Sequence, residues 1–144
     1  MTKQEIMNKI GTILDDVKTA VLATCDKEGR PHIRWMCPCI FSNQDSALYA
    51  ISAPQFSKIA QLKENPYTEW MIQTKSLNEI ITLQGKINII ENPSLKGEVM
   101  SIVGNILHVF WKQTGTETDY LVLETVIRKA FYFQPLKGKP IQVN

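Results

Sequence analysis

Residues 31–41 read Pro31-His32-Ile33-Arg34-Trp35-Met36-Cys37-Pro38-Cys39-Ile40-Phe41. The apolar residues Ile33, Trp35, Cys37, Cys39 and Phe41 recur every second position, the period of a strand with one face on a core. His32, Arg34 and Met36 take the other face. The alternation predicts a strand over 31–41 with Arg34 on the outer face of its sheet, away from the core. An arginine there is either a solvated surface group or part of a binding site, and the strand alone leaves both open.

On the N-terminal side, residues 19–25 are rich in strand formers and Asp26-Lys27-Glu28-Gly29 is a turn sequence, so 19–25 and 31–41 form a hairpin. Before them, Ile6, Met7, Ile10, Ile13, Leu14 and Val17 make one helical stripe, opened by the capping-box spacing of Thr2 and Glu5. On the other side, Ser42 to Asp45 is a turn and 47–51 a third strand. Residues 55–64 have helical spacing, stopped by Asn65-Pro66. Residues 67–74 and 78–90 return to strands, the second with Gly85 inside it, a bend or bulge. Asn92-Pro93 starts a helix running to about Val103. Residues 104–118 carry no clear signal, 120–133 form a final long strand, and the tail with Pro135, Gly138 and Pro140 reads as irregular. Six strands arriving mostly as hairpins predict a mainly β protein: a six-stranded, closed or nearly closed barrel flanked by helices. The 144 residues are one domain, 1–144.

Composition narrows the function. A net charge of +2 with no basic stripe argues against nucleic acid. No run approaches the roughly 20 apolar residues of a membrane span. The N-terminus lacks a signal pattern, so the expected location is cytoplasmic. Cys25, Cys37 and Cys39 are odd in number and have no second Cys/His cluster, which favours small buried hydrophobes over disulfides or a metal site. Neither a P-loop nor a dinucleotide fingerprint is present. His32 reads as a solvated turn residue. His108 falls in an aromatic patch with Phe110 and Trp111, either core or interface. No catalytic triad suggests itself, so redox chemistry would need a bound cofactor.

One further pair stands out. Ser57 and Lys58 fall in the first turn of the 55–64 helix, where free amides and the positive dipole end favour anions. A lysine there is mildly unfavourable unless an anion is present. Amides, the Ser57 hydroxyl, Lys58 and a nearby Arg34 would together hold a phosphate; the alternative is an ordinary exposed lysine.

The order Gly29-Arg30-Pro31-His32-Ile33-Arg34-Trp35-Met36, Leu48-Tyr49-Ala50-Ile51, then Ser57-Lys58-Ile59-Ala60-Gln61-Leu62-Lys63-Glu64-Asn65-Pro66 resembles the pyridoxamine 5'-phosphate oxidase-like superfamily, in its short general stress protein form. Ile81-Thr82-Leu83-Gln84-Gly85-Lys86-Ile87 resembles that family's strand with a central glycine. The resemblance implies an FMN-binding split barrel that forms a homodimer with FMN at the subunit interface. It implies that Arg34 and Lys58 contact the FMN phosphate with help from Ser57. It further places Trp35 and Met36 along the flavin through their backbone, Tyr49 and Ala50 at its border, and Trp111 near the partner's flavin. Cys39 and Ile80 stand where the oxidase has a lysine and a glutamine. The expectation is therefore a flavoprotein, an oxidoreductase for an unassigned small substrate, rather than an oxidase of pyridoxamine phosphate. A non-enzymatic binder of flavin, deazaflavin or haem is the alternative.

Overall fold

The structure is a computed structural model that describes residues 1–42, 46–114 and 120–143, with the backbone alone for 106–114. Helix α1 (Lys3–Val17) precedes the hairpin of β1 (Ala20–Cys25) and β2 (Pro31–Met36). Strand β3 (Ala47–Ser52), helix α2 (Ser57–Glu64), β4 (Tyr67–Gln73) and β5 (Ile80–Ile90) follow. Helix α3 (Pro93–Thr114), β6 (Leu121–Phe133) and a short β7 (Ile141–Gln142) complete the chain.

The strands form one antiparallel sheet in the order β2-β1-β4-β5-β6-β3, with β7 pairing on β6. The edges β2 and β3 approach each other just past β2. There Cys39 and Tyr49 exchange two backbone bonds, of 2.7 and 2.8 Å. This is the split barrel that the hairpin pattern predicts.

Sequence and structure part at residues 31–41. Strand β2 ends at Met36, five residues short of the expected end. Cys37-Pro38 breaks the ladder because proline has no amide to donate. The chain leaves β1 there and crosses toward β3. The expected faces are also reversed. Leu22 pairs with Arg34 and with Trp70, and both Leu22 and Trp70 are fully buried. Arg34 therefore lies on the core side. Val21 pairs with Trp35 and Met71, placing these on the outer face, where Ile33 is 73% and Trp35 49% exposed. Alternation fixes that two faces exist. Which one is covered depends on α2, which packs on the arginine side.

Helix α1 starts with the expected capping box, Thr2 and Glu5 bonding reciprocally at 3.2 and 2.8 Å. Its stripe packs with Leu22, Trp70, Ile72 and Leu83 into the main core. The Trp70 indole donates to the Thr125 hydroxyl at 2.9 Å, so this fully buried ring leaves no polar atom unpaired. Helix α3 runs to Thr114, past the expected end near Val103. Val99 and Val103 pack on Tyr49, Ile51 and Val122, so β3 is buried along its whole length on both faces. The tail is not wholly irregular: Ile141 and Gln142 pair with Tyr132 and Phe131. Two residues are too few for a sequence period to reveal. Cys37 and Cys39 are buried and Cys25 is half-buried, all three as free thiols; burial pushes the Cys39 thiol up to about 12.

Gly85 marks the predicted bulge. Gln84 pairs with Lys129 and Gly85 with Ile127, leaving Arg128 as the extra residue on β6. Nearby, the buried Thr68 hydroxyl has no hydrogen-bond partner among the described residues. A buried unpaired hydroxyl costs roughly 1–3 kcal/mol. Thr68→Val, nearly the same shape, is therefore expected to raise stability by about 1 kcal/mol in urea unfolding. A loss of stability would mean that the hydroxyl has a water partner.

Candidate functional site

Helix α2 follows β3 through a turn in which the Phe56 amide donates to the Ala53 carbonyl at 3.3 Å. Its N-cap, Phe56, offers no side-chain cap, and the first turn holds no acidic residue. The positive end of α2 is therefore not neutralised by its own sequence.

Two cations gather at this end. Lys58 is only 8% exposed, and its ammonium lies 4.3 Å from the centre of the Phe56 ring. Burial, with the nearby Arg34 charge as the second cause, lowers the Lys58 pKa to about 8. Arg34 reaches up from β2. It donates through Nη1 to the Leu22 carbonyl at 3.1 Å and through Nη2 to Gln61 Oε1 at 3.3 Å. Burial lowers its pKa as well. The Thr24 hydroxyl donates to the same Gln61 oxygen at 2.7 Å.

Among the described residues neither cation is paired with a carboxylate. The ion pairs lie elsewhere, at Lys9–Glu79, at Asp26 with Arg30 and His32, at Arg30–Glu28 and at Lys75–Asp16. Two desolvated like charges beside an uncapped helix start oppose folding on their own terms. An anion with several oxygens would satisfy the amides and both side chains together. The donor set fits a phosphate monoester.

The structure brings Arg34 near Lys58, which follows Ser57 in the first turn of α2, and distributes the other expected residues. Met36 is buried on the core side, while Trp35 lies on the outer face. Ala50 is fully buried in the main core. Tyr49 points the other way, under α3, with its ring 4.7 Å from Phe41 and its hydroxyl 3.1 Å from Glu124 Oε2. Its backbone is engaged by Cys39. Trp111 and His108 fall on α3, and their side chains lie outside the described residues. His32 sits in the β1–β2 hairpin with Nε2 2.9 Å from Asp26, and this contact is the main cause that lowers the Asp26 carboxyl to about 2. Gln61 and Thr24 were not singled out by the sequence. Gln61 stands one helical turn after Ser57, which places it on the same helix face. Only the packing of α2 on β1 brings it to Arg34.

Comparison with known proteins agrees with this frame. The family profile described as pyridoxamine 5'-phosphate oxidase matches residues 6–134. None of the curated proteins matches the chain. Among solved structures, General Stress Protein 26 from Bacillus anthracis is 21% identical, with a TM-score of 0.72 over 96% of this chain and 99% of that one. A pyridoxamine 5'-phosphate oxidase-related, FMN binding protein from Nostoc punctiforme is 14% identical, with a TM-score of 0.66 over 94% and 86% of the two chains. A heme binding protein from Mycobacterium smegmatis is 16% identical, with a TM-score of 0.72 over 96% of this chain and 57% of that one. At these identities the likeness shows the shared fold. With the profile spanning nearly the whole barrel, this chain belongs to the pyridoxamine 5'-phosphate oxidase family.

Proposed function

We propose that the protein is an FMN-binding flavoprotein that holds the cofactor's phosphate on Arg34, Lys58, Ser57 and the first-turn amides of α2. The observation that carries this reading is the pair of desolvated cations that, among the described residues, are left without a carboxylate at an uncapped helix start. The backbone of Trp35 and Met36 would run along the flavin. Tyr49 and Ala50, whose side chains are buried on opposite faces of β3, would border it through their backbone, and Trp111 would stand near the partner's flavin. Bound FMN would supply the hydride or electron chemistry of an oxidoreductase acting on a small substrate. The chain's own part is placement and exclusion of water.

The outer face of β2-β1-β4 supports a homodimer. Ile33, Trp35 and Met71 are exposed there, and Val21 sits between the last two. Large exposed apolar residues on one sheet face are a common mark of an interface. A second copy would cover them and enclose a cofactor held beside β2. Light scattering checks the pairing. The proposed location is the cytoplasm.

The test is titration of the purified chain with FMN and with riboflavin, read by quenching of flavin fluorescence. Saturable FMN binding, much weaker for riboflavin, is the expected result. No quenching by either ligand would sink the flavin reading, and a Soret band in the protein as isolated would favour haem.

A pH dependence follows from Lys58. Its ammonium must be present to meet the anion, so FMN affinity is expected to fall as pH rises through about 8. Affinity also falls below about pH 6, where a phosphate monoester loses its second charge. Folding without ligand responds in the opposite sense on the alkaline side. Between about 8 and 10.5 the unfolded chain holds the Lys58 proton that the folded chain has lost, so this group makes stability rise with pH. Isothermal titration from pH 5 to 10 checks the first statement. A flat alkaline limb would exclude Lys58 from the contact.

A further inference from the structure

Arg34 and Lys58 are both held, but by neutral groups. Lys58 rests on the Phe56 ring, and Arg34 is fixed by the Leu22 carbonyl and the Gln61 side-chain oxygen. Arginine has only donors, so the oxygen of Gln61 must face it, and the Thr24 hydroxyl donates to that same oxygen. Thr24 is 3% exposed and Gln61 is half-buried, so this bond is partly sheltered from water. It fixes the Gln61 amide, and Gln61 in turn fixes one arm of the guanidinium. A glutamate at position 61 would satisfy Arg34 better, because charge-assisted bonds are shorter and stronger. It would also cancel one of the two charges on which an anion depends.

We infer that Gln61, oriented by Thr24, is a positioning residue that aims the Arg34 guanidinium at the start of α2 while its neutral amide leaves both cations available to a dianionic ligand. This rests on the phosphate-site reading above and names what sets the strength of that site. The amide replaces the stronger partner that folding alone would favour. Stability and ligand binding therefore pull in opposite directions at position 61.

The experiment compares wild type with Gln61→Glu and Gln61→Met. Melting temperature is measured alone and with inorganic phosphate, and binding is measured for FMN and riboflavin. Gln61→Glu is expected to melt at or above wild type without ligand. It should bind FMN at least roughly 30-fold more weakly, bind riboflavin within about 2-fold of wild type, and lose its response to inorganic phosphate. These sizes follow from removing a charged contact. Gln61→Met keeps the charges but releases Arg34, and about 10-fold weaker FMN with unchanged riboflavin is expected.

The inference is overturned if Gln61→Glu binds FMN within about 3-fold of wild type. It is equally overturned if FMN and riboflavin weaken alike, since a merely structural role would move both. A wild type stabilised by inorganic phosphate but blind to FMN would overturn the flavin reading alone. The role of Gln61 is then judged on the phosphate response by the same comparison. A wild type that responds to neither overturns both.

Discussion

Arg34→Ala and Lys58→Met are each expected to weaken FMN binding about 10- to 100-fold while riboflavin binding stays within about 2-fold. A hydrogen bond to a charged group contributes roughly 1.5–3 kcal/mol, and about 1.4 kcal/mol is a factor of ten in affinity. Only FMN carries the phosphate, so the difference between the two ligands isolates the anchor from general damage. Lys58→Met also separates function from folding. The ammonium is buried and its pKa is lowered to about 8, so its charged form is costly in the free protein. Methionine fills similar space without that cost. The variant should therefore melt no lower than wild type while losing the phosphate contact. Riboflavin and FMN weakened equally, or a large fall in melting temperature, would place Lys58 in the core rather than in a site.

Gly85→Ala is expected to destabilise the fold by about 3 kcal/mol, lowering the melting temperature by roughly 10 °C in a chain of this size. A Cβ at Gly85 would lie 2.5 Å from the Val126 carbonyl oxygen and 2.8 Å from the Thr125 side chain. The first obstacle is backbone, which cannot rotate aside. It belongs to β6, paired with β5 along the full length of that strand, from Ile80 to Ile90. The second obstacle is the partner of the Trp70 indole, so displacing Thr125 disturbs a buried hydrogen bond at the centre of the core. Gly97→Ala is the control. It lies within α3, a Cβ there meets nothing within 4 Å, and alanine should stabilise by up to about 1 kcal/mol. Calorimetry on both variants decides the matter, and a Gly85→Ala protein melting within about 2 °C of wild type would refute the steric argument.

Much of the fold was legible because it rests on local rules. The capping box at Thr2 and Glu5, the α1 stripe, the Asp26 to Gly29 turn and the stop at Asn65-Pro66 are short-range patterns, and each appears where the residues place it. The bulge at Gly85 was readable too, since an interior glycine in a long strand signals close backbone approach. The candidate site was legible in part. Ser57 and Lys58 show themselves as an unusual first turn, and Arg34 as a charge within an apolar strand.

Taken by itself, the sequence determined the periods: where a helix has a stripe, where a strand has two faces, and where glycine or proline interrupts them. It did not determine which face of β2 is covered. That depends on α2, more than 20 residues later in the chain, packing Gln61 toward Thr24 and Arg34. Tertiary structure alone reversed the assignment of Ile33 and Trp35, ended β2 at Met36 and carried the chain across to Tyr49. It also turned two separate cations into neighbours. The physical reason is that alternation is a property of one strand, whereas burial and electrostatic coupling belong to pairs of elements. Whether Arg34 faces solvent or the core side, open in residues 31–41, is decided by what packs above them.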